Sequence, residues 1–106
     1  AYSEDARYRL AYLNGIMANH QYRIANYNFN HSAYLGAINR AKIVLQNYSQ
    51  TKASEKAMVL LIKSYKALNL NQNSKRMTDV LEHNYPKNSY LQSLKHSDQA
   101  AKILLD

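Results

Sequence analysis

Histidine, arginine and tyrosine are the chemically versatile residues of this chain, and their spacing limits what they can do. His20 and His31 lie eleven positions apart. On one helix that is about 16 Å at ~1.5 Å per residue, too far to share a metal ion. No HExxH pair occurs, and no acidic residue stands near either histidine to orient it. His96, Ser97 and Asp98 supply the residue types of a hydrolase triad, but neighbours in sequence do not face one another on a helix. His83 completes the set of four. The chain has no cysteine, which excludes disulfides, thiolate zinc sites and cysteine nucleophiles. Its two glycines are isolated, so no phosphate-cradling loop exists, and no carboxylate pair is poised for acid–base work. These patterns predict a chain that is not an enzyme and holds no metal or cofactor.

The stretch IANYNFNHSAYLGAINRA at 24–41 concentrates the remaining chemistry. His31 is expected to end a helix, where an imidazole meets unpaired carbonyls. Arg40 falls mid-helix beside an apolar stripe, with no acid within four residues. It either runs its stem along the hairpin with a solvated head or offers its planar fork to a carboxylate on a partner. Arg23 and Tyr22, on the preceding helix, are weaker candidates for the same partner surface.

The elements that must carry these residues are helical. Strand-like alternation is absent, and apolar residues recur at steps of three and four. Ala6, Leu10, Leu13, Met17, Gln21, Ile24, Tyr27 and His31 trace one face of a long helix over about 3–31. Ser3 can cap it, Glu4 and Asp5 suit its positive end, and Gly15 is where it would kink. Tyr34, Ala37, Ile38, Ala41, Val44, Leu45 and Tyr48 predict a helix over 33–48, with Ser32 as its cap. Ala57, Leu61, Tyr65 and Leu68 predict one over 52–69, capped by Thr51 or Ser54. NLNQNS at 69–74 reads as a polar turn. Met77, Val80, Leu81 and Asn84 carry a helix over 74–85, which Pro86 stops. Leu91, Leu94, Ala101 and Leu105 suggest a last helix or tail over 88–105, with a possible break at Ser97. No apolar run approaches the ~20 residues of a membrane helix.

Charge is distributed unevenly. The chain carries +7, and no acidic residue occurs between Asp5 and Glu55, where Arg7, Arg9, Arg23, Arg40, Lys42 and Lys52 lie. Such a field suits nucleic acid, anionic lipid or an acidic protein surface. Ten tyrosines add a base-stacking possibility. However, Tyr27, Tyr34, Tyr48 and Tyr65 fall on the stripes expected to be buried, which argues for packing between helices.

NYSQT begins at Asn47 and NYPKN at Asn84, 37 residues apart, each after a helical hairpin. That is an internal repeat. Ile24, Ala25, Phe29, Ser32, Tyr34, Ala37, Ala41 and Ser49 fall at the spacings of a tetratricopeptide repeat, which the chain resembles. Ser49 stands where proline is usual and Asn28 where tyrosine is usual. Leu61, Tyr65, Leu81 and Pro86 match in a second copy, with Ser74 and Thr78 in place of small alanines. The expected fold is all-α: antiparallel hairpins stacked as a short right-handed solenoid within one domain over 1–106, the first helix long.

Across about 3–86, SEDARYRLAYL, HQYRIANYNF, AINRA and NYSQT occur in the order and spacing that resemble the C-terminal half of BamD-type lipoproteins. That resemblance implies a periplasmic scaffold on the outer membrane of a Gram-negative bacterium, in the β-barrel assembly machinery. It implies as partners the periplasmic domain of the barrel-forming insertase and accessory lipoproteins, and a lipid anchor on an N-terminal part that precedes this fragment. It favours Arg40 for partner binding, because Asn39-Arg40 lies in a matched segment. A generic tetratricopeptide adaptor clamping a peptide in its concave groove is the alternative reading, with a basic nucleic-acid-binding domain behind it. A repeat array cut open is also expected to expose the apolar face that met its missing neighbour.

Overall fold

The computed structural model describes residues 2–105, with side chains to 104. It is all-α. Helices α1 (Glu4–Asn30), α2 (Tyr34–Asn47), α3 (Ala53–Ala67), α4 (Asn71–Asn84) and α5 (Ser89–Leu105) follow one another, and consecutive helices pack together. Helix α3 also packs on α1, so the hairpins stack. Among the described residues no strand occurs and no helix is long and apolar enough to cross a membrane.

Local chemistry sets the helix ends. The Ser3 hydroxyl accepts a hydrogen bond from the Ala6 N–H at 3.2 Å, and Glu4 and Asp5 occupy the first turn of α1. The helix runs unbroken through Gly15. The α1–α2 corner turns at Ser32 and the α3–α4 corner at Asn69, both in the left-handed region. At each, the residue after the turn donates back into the last helical turn: Ala33 N–H to Asn28 O at 2.8 Å, and Leu70 N–H to Tyr65 O at 2.9 Å. Ser32 N–H to Phe29 O and Asn69 N–H to Lys66 O, each 3.0 Å, complete the pairs. These bonds satisfy carbonyls that a helix end leaves unpaired.

Three cap expectations are corrected. Ser32 does not cap α2, because its left-handed backbone ends α1 and Ala33 occupies the cap position without a side-chain bond. The Thr51 hydroxyl donates backward to Tyr48 O at 2.7 Å rather than capping α3. Ser54 lies inside α3, and its buried hydroxyl makes no hydrogen bond among the described residues. The polar turn at 69–74 is also shorter than its composition suggests. Leu68, Asn69 and Leu70 make the turn, and α4 begins at Asn71, three residues before the expected 74. Asn71, Gln72 and Asn73 are polar because they face solvent on the first turn of α4. The repeat period itself places that start, since α2 begins 37 residues earlier at Tyr34.

The core is built on alanine. Ala18, Ala41, Ala53 and Ala57 lie buried with Ile38, Val44, Leu61 and Tyr65 between the first three helices. A second cluster of Met58, Ile62, Leu81 and Leu91 joins α3 to α4 and α5. Short side chains let helix axes approach to the close end of the usual 8–10 Å separation. A Cβ on Gly36 would stand 3.0 Å from the Asn28 side chain, which shows how closely α2 meets α1 at the corner.

The expected packing stripe of α1 is rotated. Leu13 is 55% exposed, Met17 46% and Tyr27 62%, and Leu10 is also exposed. Ala18 and Ala25 are the fully buried positions, flanked by half-buried Tyr22 and Phe29. The large apolar residues were the wrong guide, because in a tight hairpin the smallest side chains occupy the contact. Helix α1, about 40 Å long at ~1.5 Å per residue, also overhangs the shorter α2. Tyr8, Tyr12, Leu13 and Ile16 stay exposed on that overhang.

Helix α5 is continuous past Ser97. Leu91 is buried and Leu94 half-buried, whereas Ala101 is exposed; the side chain of Leu105 lies outside the described residues. The overhanging ends of α1 and α5 give an elongated body of 60 × 28 × 19 Å and a radius of gyration of 16.0 Å. A compact domain of this length would measure about 13 Å.

Candidate protein-binding surfaces

Arg40 sits on the solvent edge of α2, half-buried. Its Nη1 donates to Oε1 of Gln21 on α1 at 3.0 Å. The head is therefore tethered across the hairpin rather than free in solvent. Gln21 uses one of five guanidinium donors. Among the described residues the only ion pair is Lys95–Glu82 at 3.3 Å, so none of their carboxylates closes on Arg40. A tethered fork with donors to spare and no internal counter-charge can pair with a carboxylate from outside.

Tyr22 and Arg23 follow Gln21 on α1, each a further 100° around the helix. Arg23 is exposed. Tyr22 turns toward α3, where Lys56 Nζ lies 5.9 Å from its ring centroid. Burial pushes the Tyr22 phenol above its ordinary pKa. The structure thus brings Gln21 to Arg40, but turns Tyr22 toward a different surface.

That surface is a groove of about 1020 Å³ between α1, α3 and the start of α5. Tyr22, Asn26 and Phe29 line one wall; Lys56, Val59 and Lys63 line another. Asn88 and Tyr90 close the far end. The Asn88 side chain is buried and works in two directions. Its Oδ1 accepts from the N–H groups of Tyr90 and Leu91 at 2.9 and 3.1 Å, which caps α5. Its Nδ2 donates to Oε2 of Glu55 at 2.6 Å, which ties α5 to α3. Lys63 and Lys66 hold their ammonium groups 5.4 and 5.6 Å from the Tyr90 ring centroid. Lys66 Nζ also donates to the Tyr90 hydroxyl at 3.3 Å. Each exposed cation–π contact is worth about 0.5–1 kcal/mol.

The histidines do not converge. His31 ends α1. Its Nδ1–H donates to Tyr27 O at 2.8 Å, since a carbonyl can only accept, and its ring stacks on Tyr27 at 4.0 Å between centroids. His20, His83 and His96 are exposed on separate helices. Among the described residues no group of histidine and carboxylate side chains could hold a metal ion.

Sequence reasoning missed Gln21 as the tether of Arg40 and missed the groove. Gln21 is the one polar residue inside an apolar stripe that ends on His31, which is a legible signal. Lys52, the cap residue of α3, and Lys56 and Lys63 within it recur at steps of four and seven, which aligns them along one side of the helix.

Comparison with known proteins identifies the family of the chain. The YfiO family model, described as an outer membrane lipoprotein, matches residues 1–81. The chain is 31% identical over 80 residues to the outer membrane protein assembly factor BamD of Buchnera aphidicola, covering 76% of this chain and 32% of the relative. It is 32% identical over 90 residues to BamD of Neisseria gonorrhoeae, covering 85% and 34%. To BamD of Neisseria meningitidis serogroup B it is 30% identical over 97 residues, covering 92% and 36%. The chain spans about a third of the length of the curated relatives it matches. With most of its residues matched, the chain belongs to the YfiO outer-membrane lipoprotein family, among whose members are the BamD assembly factors.

Proposed function

We propose that this chain is a non-catalytic protein–protein interaction scaffold in outer-membrane protein assembly. It acts at the periplasmic face of the outer membrane in a Gram-negative bacterium. Its partners are the periplasmic domain of the barrel-forming insertase and accessory lipoproteins. The relatives, each named an outer membrane protein assembly factor, support the process. The observation that carries the surface is the Gln21–Arg40 pair: a half-buried guanidinium held in place, with no carboxylate paired to it among the described residues. Arg40 is the centre of the contact; Arg23, exposed on α1, contributes charge to the encounter, and Tyr22, turned into the groove beside α3, stands outside it. A close charge pair of this kind governs dissociation and affinity, while exposed cations such as Arg23 govern the encounter rate.

Calorimetric titration of the full-length protein with the insertase's periplasmic domain tests the reading. Arg40→Ala is expected to weaken binding by 2–5 kcal/mol, about thirtyfold or more, because truncating one partner of a buried charge pair strands the other. Arg40→Lys restores little, since a point charge lacks the fork. Wild-type affinity in Arg40→Ala would remove Arg40 from the interface. No binding by the folded wild-type protein would count against the scaffold itself.

A further inference from the structure

We propose that the groove between α1, α3 and the start of α5 is a second docking site, separate from Arg40, and that its occupant is an extended acidic peptide segment. The charge is one-sided. Lys52, Lys56 and Lys63 line the groove, and Lys66 stands beside Tyr90 at its edge. The one carboxylate in the lining, Glu55, is engaged by Asn88 at 2.6 Å. No groove lysine is in an ion pair among the described residues. Tyr22 and Tyr90 hold three of these ammonium groups over their rings, so the charges are placed before a ligand arrives.

The rest of the lining selects peptide among anionic ligands. Asn26, Asn30 and Gln50 present amide side chains to the groove. An amide both donates and accepts, which matches the N–H and C=O groups of an extended backbone. A helical ligand has already paired those groups, and a phosphate backbone offers only acceptors. Phe29, Val59 and Leu60 supply apolar surface for the side chains between the acids. From Lys52 to Lys66 the ridge spans about 21 Å at ~1.5 Å per residue, room for six or seven extended residues at ~3.3 Å each.

Fluorescence anisotropy on the full-length protein tests this with three labelled probes. They are an eight-residue peptide alternating glutamate with leucine, the same peptide with lysine for glutamate, and an oligothymidylate. The acidic peptide is expected to bind at least tenfold more tightly than either other probe. The Lys52→Glu/Lys56→Glu/Lys63→Glu variant is expected to lose at least tenfold, and Lys75→Ala, at an exposed α4 position outside the groove, to stay within twofold. The milder variant, with the same three lysines changed to glutamine, is expected to lose at least threefold and serves if circular dichroism shows the first to be misfolded. Equal binding of the lysine peptide, tighter binding of the oligothymidylate, or undiminished acidic-peptide binding by the folded lysine variants would each overturn the proposal.

Discussion

Ser32 and Asn69 hold the same left-handed backbone, with φ of 62° and 60°, 37 residues apart. Each follows the end of a first helix and precedes one bridging residue, Ala33 or Leu70, whose φ and ψ agree within a degree. The two hairpins thus turn by one device, although the second copy has lost its small alanines to Ser74 and Thr78.

That relationship predicts unequal responses to glycine. A left-handed conformation costs an ordinary residue about 1–2 kcal/mol, and asparagine tolerates it better than serine. Ser32→Gly is expected to stabilise the fold by about 0.5–1 kcal/mol, after the extra unfolded-state entropy of glycine is subtracted. Asn69→Gly should gain less than half of that. Urea unfolding monitored by circular dichroism gives both numbers, and a larger gain at Asn69 would contradict the account.

Gln21 should matter to binding more than to folding. Its bond to Arg40 contributes about 0.5–1.5 kcal/mol at most, and both residues keep access to water. Gln21→Ala is expected to weaken the insertase contact about three- to tenfold by freeing the fork, while the free energy of unfolding falls by no more than about 1.5 kcal/mol. In a double-mutant cycle the Gln21 effect should vanish once Arg40 is alanine. Additive losses would mean that the two residues act apart.

Asn88 should control the anchoring of α5. Asn88→Ala removes the cap and strands the Glu55 carboxylate, at a cost of about 1–3 kcal/mol. Hydrogen exchange of the amides at 90–95 is expected to accelerate at least tenfold, with α1 and α2 little changed. Asn88→Asp keeps the capping oxygen but sets a second carboxylate against Glu55, so it should restore slow exchange only in part.

Tyr22 gives an alkaline dependence of defined sign. Burial raises its folded pKa, so the neutral phenol is the form that the fold favours. The stability it contributes is complete below the ordinary tyrosine value of ~10 and is lost as pH rises through the folded pKa. Tyr22→Phe should match wild type at pH 8 and be the more stable of the two above about pH 10.5. Chemical denaturation at the two pH values decides it.

The all-α fold and its 37-residue period were legible because they are local properties. Helical periodicity, the Ser3 cap and the recurrence of NYSQT and NYPKN need only neighbouring residues to be read. The turn chemistry was partly legible: Ser32 was placed at the corner, but as the cap of the second helix rather than the left-handed end of the first. Which face of α1 packs was not local. It depends on how closely α2 and α3 approach, and that distance is set by Ala18 and Ala25 rather than by the larger Leu13 and Met17. The same holds for the candidate surfaces. Arg40 was conspicuous in sequence, but its tether lies 19 residues away, and Asn88 meets Glu55 across 33. Composition therefore determined a basic, helical, repeat-built chain. Only the stacking of hairpins decided which polar groups meet, because contacts between helices depend on their separation and rotation, which no single helix encodes.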